Sequence, residues 1–214
     1  MSDIQDAIRY MQEAFLEAHR NAVKVFFDSL PNHVGPNQNQ LNILQVITER
    51  TGIDVVQCKG SMFNLLGPRM HGTEGVFCYA KFDPRLRRDA IVLNLDARSA
   101  YWFSALFHEL THATGTTRHL NRPGVAERHR ADILEVCFEE LVAESVARRI
   151  MDRLGLATEE TRDKSAKYIE SYAANMQYLI DTDRLQSECD KAERLVLEWI
   201  DGIDFASQNI LKAA

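Results

Sequence analysis

The residues of this chain with the clearest chemical potential are His108, Glu109 and His112, which form the pattern His-Glu-Leu-Thr-His. Two histidines four residues apart lie on the same face of a helix, one turn from each other, so both imidazole rings can reach one metal ion. A glutamate next to the first histidine is placed to take a proton from a water molecule. The pattern therefore predicts a zinc site, with His108 and His112 as ligands and Glu109 as catalytic residue. The alternative is a pair of incidental helix histidines.

A helix predicted from Asp132 to Leu154 carries the acids that could complete such a site. At about 100° per residue, Glu140 and Glu144 fall among apolar residues on one side of this helix. Two carboxylates in an apolar stripe are costly unless a cation compensates their charge, and a zinc ion held by two neutral histidines would do so. The apolar residues of the stripe are Ile133, Val136, Cys137, Ala147 and Met151.

We predict Glu140 as the third zinc ligand and Glu144 as the hydrogen-bond partner of the far nitrogen of a liganding histidine, whose tautomer it would fix. The reverse assignment stays open, as does the pairing of both acids with an arginine. A different zinc pattern needs a third histidine ten residues after the first, but position 118 is an arginine and His119 comes one residue too late. His119 is an alternative ligand, and His129 is a weaker one.

The other two glutamates in the first half of this helix, Glu135 and Glu139, fall on the opposite side together with Arg149 and Arg153. Acids and arginines spaced along one side of a helix are typical of a solvent-exposed face with ion pairs between neighbouring turns. We therefore expect Glu135 and Glu139 to lie in solvent, away from the metal.

The composition favours one compact globular domain. The chain has 214 residues, of which 45% are hydrophobic, and its net charge of −6 argues against a dedicated nucleic-acid surface. Apolar runs are too short to span a membrane, so no membrane partner is expected, and the first residues lack the pattern of a secretory signal. The four cysteines form no Cys-x-x-Cys pair, which is typical of reduced thiols in a cytoplasmic protein.

The order of apolar patterns along the chain predicts an α+β fold, mostly helical, with a small and mainly antiparallel sheet. The strand predicted at Ile91–Leu95 leads almost directly into the histidine-bearing helix, and its backbone could align an extended peptide as an added strand. A first helix is predicted over residues 3–29, and another runs from Glu159 to about Ile180. The predicted regions of the single domain 1–214 are an N-terminal helical region 1–52, a small sheet 53–95, a zinc-binding helix 99–115 and C-terminal helices 132–201.

Three sequence segments resemble the zincin-like metallopeptidase domain of ArdC-type antirestriction proteins and of the polyvalent proteins of phages and conjugative elements. The segments are Leu106–Gly115, Leu120–Arg122 and Phe138–Glu144, and Tyr168-Ile169 with Tyr172 is similar to a segment further along in that family. The likeness covers about residues 88 to 201. It implies a zinc-bound His-Glu-x-x-His fold with a glutamate ligand on a following helix. It also implies a role for mobile elements inside a bacterial cell, in protecting incoming DNA or attacking host proteins.

The residues and the resemblance together predict a zinc-dependent metallopeptidase that hydrolyses peptide bonds of a protein substrate in the bacterial cytoplasm. Tyr168, Tyr172 and His119 are candidates for contacts to the oxyanion or the substrate. Two other functions stay open: a non-catalytic, zinc-containing anti-defence protein that binds a host defence protein, and a DNA-associated protein that uses the loop 118–130. The short acidic region before the strands does not match the N-terminal single-strand DNA-binding domain of ArdC-type proteins, so DNA binding has little support.

Overall fold

The computed structural model describes residues 38–58, 74–82, 86–94, 99–128, 130–176 and 180–205. The helix predicted over residues 3–29 lies outside these ranges, as does His129. The described elements form a mostly helical molecule with one three-stranded sheet, which confirms the predicted α+β class. In chain order they are α1 (Gln38–Thr51), β1 (Asp54–Cys58), β2 (Gly75–Cys78), β3 (Ala90–Asn94), α2 (Ser99–Thr114), α3 (Pro123–Ala126), α4 (Ile133–Arg153), α5 (Glu159–Asn175) and α6 (Thr182–Ile200).

The sheet is mixed, whereas the sequence predicted mainly antiparallel pairing. β3 is the central strand; it pairs in parallel with β1 and antiparallel with β2. A parallel pair needs a crossover between its strands, and the chain between β1 and β3 provides it by first forming β2 on the far side. Because β3 already has a partner on each side, it cannot accept a peptide as an added strand. Among the described residues, β2 is the edge strand that faces α2.

Helix α2 lies at the centre of the molecule, which explains its apolar sequence. Trp102, Phe103, Leu106, Phe107 and Leu110 are all at most 2% exposed. They pack against the sheet on one side and against α4 and α6 on the other. Such close packing fixes the helix rotation, and with it the direction in which the two histidines of α2 point.

Helix α4 is buried on all sides in its middle, contrary to the solvent-exposed face that its sequence pattern predicts. Asp132 is its N-cap residue, whose side chain accepts a hydrogen bond from Glu135 N, and the helix packs against α2, α3, α5 and α6. Every residue from 137 to 144 is buried. The prediction that Glu139 lies in solvent is therefore wrong, since this residue is 2% exposed, and Ile133, placed in the apolar stripe, is 71% exposed at the helix start. The predicted division of α4 into one solvent-exposed face and one buried face is wrong because several other helices pack around it.

Helix α5 crosses α4 and brings tyrosines towards α2. A capping box between Thr158 and Thr161 starts the helix, because each side chain satisfies a backbone N–H of the other residue. The helix ends at Asn175, earlier than the predicted end near Ile180. None of the helices in the described part of the chain is long and apolar enough to cross a lipid bilayer.

Candidate metal centre

The three side chains predicted as metal ligands meet at one point between α2 and α4. The Nε2 atoms of His108 and His112 are 3.1 Å apart. Glu140 Oε2 lies 3.4 Å from Nε2 of His108 and 3.7 Å from Nε2 of His112. One potential ligand atom from each of the three residues therefore lies within 4.8 Å of the other two. All three side chains are largely buried, with 6–12% of their surface exposed.

The opposite nitrogen of each imidazole ring faces a carboxylate. Nδ1 of His108 is 2.9 Å from Glu144 Oε2, and Nδ1 of His112 is 3.1 Å from Glu139 Oε1. An ionised carboxylate can only accept a hydrogen bond, so each Nδ1 carries the ring hydrogen. In the neutral rings both Nε2 atoms consequently present lone pairs, and both point towards the Glu140 carboxylate. Glu144 thus occupies the place that the sequence analysis gave it, next to a predicted ligand and away from the convergence point.

Three lone-pair donors that converge in a buried space repel one another unless a positive charge lies between them. Two imidazole nitrogens with one carboxylate oxygen are also a donor set that zinc takes in hydrolytic sites. The residues present therefore fit a zinc ion. His108 and His112 would hold it through Nε2, and Glu140 would hold it through Oε2.

The pKa values at this site show the same demand for positive charge. Burial alone would lower the pKa of His108, but its hydrogen bonds to Glu140 and Glu144 raise it well above the usual range. Burial also opposes the charged form of His112, yet the charge of Glu140 and the hydrogen bond to Glu139 raise its pKa to about 9. Conversely, the histidines hold the pKa of Glu140 far below its usual range despite burial. A cation is stabilised here, whether it is a proton or a metal ion.

Glu109, the predicted catalytic residue, points from α2 towards the edge strand β2. Its carboxylate accepts a hydrogen bond from the backbone N–H of Phe77. Only 8% of the residue is exposed. Burial raises its pKa above the usual range, although the charges of His108 and His112 act in the opposite direction. A carboxylate with a raised pKa that sits beside a metal site is suited to take up and release a proton.

A cleft of about 340 Å³ runs past this carboxylate, between β2 and α5. At the rim of the cleft, Glu74 and Lys164 form an ion pair. Lys164 also lies over the ring of Tyr101, with 4.2 Å from Nζ to the ring centroid. The cleft is lined by Glu74, Gly75, Ser104, Ala105, His108, Glu109, Glu144, Thr161, Lys164, Ser165 and Tyr168.

Gly75 on β2 leaves the space that the Glu109 side chain occupies. A Cβ atom at position 75 would lie 2.9 Å from Glu109 Cγ and 3.3 Å from Glu109 Oε1. We expect the Gly75→Ala variant to displace the Glu109 carboxylate. The kcat of any hydrolysis in which this carboxylate takes up a proton should then fall by about 10- to 100-fold, since small misplacements of reacting groups cost that much. Zinc content measured by atomic absorption should stay at the wild-type level. A variant with unchanged kcat would show that Glu109 needs no such space.

Of the two predicted tyrosines, Tyr168 is the one that contacts the cluster. Its hydroxyl donates a hydrogen bond to Glu140 Oε2 at 2.9 Å, and its ring lies edge-on to that of His108. Burial and the nearby Glu140 charge raise the pKa of Tyr168, so the phenol stays protonated and remains a donor. The Tyr172 hydroxyl is 3.5 Å from that of Tyr168 and adds a more distant contact. Whether either hydroxyl contacts substrate stays a prediction.

His119, the third candidate for a substrate contact and an alternative metal ligand, packs elsewhere. Its ring lies edge-on against Trp199 of α6, with 5.1 Å between the ring centroids. Partial burial and the nearby charge of Arg118 lower its pKa. The structure therefore does not bring His119 into the cluster formed by His108, His112 and Glu140.

Sequence reasoning missed a buried ion pair that adjoins the cluster. Arg122 binds Glu139 through two nitrogens, each 2.7 Å from a carboxylate oxygen, and both side chains are at most 4% exposed. Arg122 stands in Leu120–Arg122, one of the three segments that carry the family resemblance. A signal was nevertheless present, because the Glu139 carboxylate lies in a segment of otherwise apolar residues beside Glu140 and requires a buried cation of its own.

Comparison with known proteins agrees with this geometry. Neither the curated proteins nor the solved structures include a significant match to the chain. Residues 88–184 do match the family model MPTase-PolyVal, which is described as a zincin-like metallopeptidase. The matched segment contains α2 and α4, and therefore all three residues of the cluster. The match agrees with the sequence resemblance of this segment to a zincin-like metallopeptidase domain.

Proposed function

We propose that this chain is a zinc-dependent metallopeptidase that hydrolyses peptide bonds of a protein substrate. The observation that supports this proposal best is the position of Glu109. Its carboxylate follows directly on His108 and lines the same cleft, where β2 and α5 leave room for a substrate. A structural zinc site needs neither a neighbouring acid nor a cleft, whereas hydrolysis needs both.

Each residue of the site then has a defined part in the reaction. When bound, zinc would supply Lewis-acid activation of a water molecule and of the peptide carbonyl. Glu109 would accept the proton that the water loses as it attacks the carbonyl carbon, and would pass this proton to the amine as the C–N bond breaks. Tyr168 donates its single hydroxyl hydrogen to Glu140 in the structure, and we propose that this hydrogen would turn from the carboxylate to the oxyanion during the reaction.

The substrate would lie along β2 as an extended peptide. Gly75 of β2 and the preceding residue Glu74 border the cleft, and β3 is closed to further pairing. Hydrogen bonds to a strand edge hold a peptide by its backbone, which suits an enzyme that acts on proteins. The substrate would have to pass the ion pair between Glu74 and Lys164, which joins the two walls of the cleft.

The biological setting belongs to the same proposal. The resemblance to domains of mobile-element proteins supports an origin in a phage or a conjugative element, and action in the bacterial cytoplasm. A host protein, such as a defence protein, is then the substrate that we propose.

The test is hydrolysis that depends on the metal. The zinc-loaded protein is incubated with a mixture of peptides of diverse sequence and with an unfolded protein, and the products are analysed by mass spectrometry. We expect new termini at defined positions, loss of cleavage after removal of zinc with a chelator, and recovery when zinc is added back. A protein that holds one zinc ion per chain but cleaves none of these substrates would contradict the proposal, and would favour a non-catalytic interaction protein.

A further inference from the structure

One buried arginine connects the two helices that carry the metal-binding residues. Arg122 Nη2 donates to the backbone carbonyl of Thr111, and Nη1 donates to the hydroxyl of Thr114, with both distances 2.8 Å. These contacts hold the C-terminal turn of α2. The same guanidinium binds both carboxylate oxygens of Glu139 on α4. With five donors in a rigid fork, an arginine can make all these bonds at once.

Glu139 passes this constraint to the metal centre in two ways. Its Oε1 accepts from Nδ1 of His112, which determines the orientation and the tautomer of that ring. It also directly precedes Glu140 in α4, so a fixed Glu139 fixes the rotation of the helix at the neighbouring ligand. The corresponding partner of His108 is Glu144, which is held without a comparable arginine among the described residues.

The chain after α2 is shaped to deliver the Arg122 side chain. Asn121 has a φ of 51°, in the left-handed region, and it turns the chain back towards α2. A Cβ atom at Gly115 would lie 3.0 Å from Arg122 Nη2, and one at Gly124 would lie 2.6 Å from Glu139 Cβ. Both glycines therefore allow the close approach on which the buried ion pair depends.

We propose that Arg122 is a positioning residue of the metal centre, which acts through Glu139 on the ring of His112 and on the helix that carries Glu140. The inference rests on the metal site of the proposed function, and does not require that the protein cleave peptides. Partners that orient metal ligands typically contribute 10- to 100-fold to metal affinity. Loss of the arginine fork should therefore weaken zinc binding, even though Arg122 is not a ligand.

The experiment is a double-mutant cycle on zinc affinity, measured by competition with a chromophoric chelator. Glu139→Gln keeps the shape of the side chain, and Arg122→Lys keeps the positive charge but loses the fork. We expect each variant to bind zinc about 10- to 100-fold more weakly than the wild type. Because both substitutions act through the same contact between Arg122 and Glu139, the double variant should bind zinc no more weakly than whichever single variant has the lower affinity. Additive effects, or single variants within twofold of the wild type, would overturn the proposal.

Folding effects are separated from positioning by two controls. The melting temperature of the metal-free protein is measured for every variant, and zinc affinity is compared only among variants that unfold cooperatively. If Arg122→Lys does not fold, Glu139→Gln alone must still show the loss of affinity. Arg149→Lys is the matched control, since Arg149 also joins α4 to acidic residues, among them Asp190 at 2.9 Å, but lies far along the helix from the cluster. It should leave zinc affinity unchanged.

These measurements distinguish failure of the proposed peptidase function from failure of the inference about Arg122. If the wild-type protein binds no zinc, the metal site, the proposed function and this inference fail together. If it binds zinc and cleaves peptides while Glu139→Gln and Arg122→Lys bind zinc as the wild type does, only the inference about Arg122 fails. If the variants lose affinity but the wild type cleaves nothing, the inference stands and the proposed peptidase activity fails.

Discussion

Peptide hydrolysis is expected to fall by about 10²- to 10⁴-fold when Glu109 is replaced by glutamine, while zinc binding persists. A glutamine side chain has the same shape, and its oxygen can still accept the hydrogen bond from Phe77 N–H, but an amide cannot take up the proton of the attacking water. The measurements are kcat with a peptide that the wild type cleaves, zinc content per chain, and the circular dichroism spectrum.

The matched control for this change is Glu170→Gln on the exposed side of α5. It removes the same charge from the chain and should leave kcat at the wild-type value. If Glu109→Gln retains full activity with zinc bound, another group takes the proton, and the role proposed for Glu109 is wrong. If activity and zinc are lost together, Glu109 supports the metal site and its catalytic role is not the main effect.

The second large effect is expected at Glu140, whose replacement by alanine should abolish stable zinc binding and all activity that depends on zinc. The variant removes the carboxylate that converges with the two imidazoles and leaves only two ligands. Glu144→Ala serves as the comparison, because Glu144 contacts the outer nitrogen of His108. Its loss should weaken zinc binding by about 10- to 100-fold, which is much less than the loss of a ligand.

Zinc titration by calorimetry distinguishes the two glutamates and decides between the assignments that the sequence left open. Glu135→Ala provides the control on the same helix, since Glu135 pairs with Arg184 at 2.7 Å, away from the cluster. It should bind zinc like the wild type. A larger loss of affinity for Glu144→Ala than for Glu140→Ala would reverse the assignment of ligand and supporting residue.

The centre of the candidate site could be predicted because its chemistry is local in the sequence. The spacing of His108 and His112 on one helix determines that their rings can share an ion, whatever the rest of the fold. Glu140 followed from a second local argument, the cost of a carboxylate among apolar residues. The family match supports the same helices. The α+β class followed equally from apolar patterns that each span one element.

The parts that were missed depend on packing between elements that are distant in the sequence. A helical wheel assigns one side of α4 to solvent, but it contains no information about the loop that carries Arg122. It therefore predicts, wrongly, that Glu139 is exposed to solvent. The pairing of β1 with β3 was equally inaccessible, since strand order depends on the path of the chain across the sheet. His119 lies one residue beyond the position that a third histidine ligand would need, and Trp199 of α6 holds its ring in a different place.

The buried middle of α4 carries a consequence for how this domain can vary in length. Glu139, Glu140 and Glu144 contact His112, the convergence point and His108, respectively, and they do so from one continuous helix. Insertion or deletion of one residue between positions 140 and 144 would turn the later part of the helix by about 100° relative to the earlier part. Glu144 would then lose its histidine. Natural length variation in related domains should therefore fall outside this interval, in connections such as the one between α4 and α5.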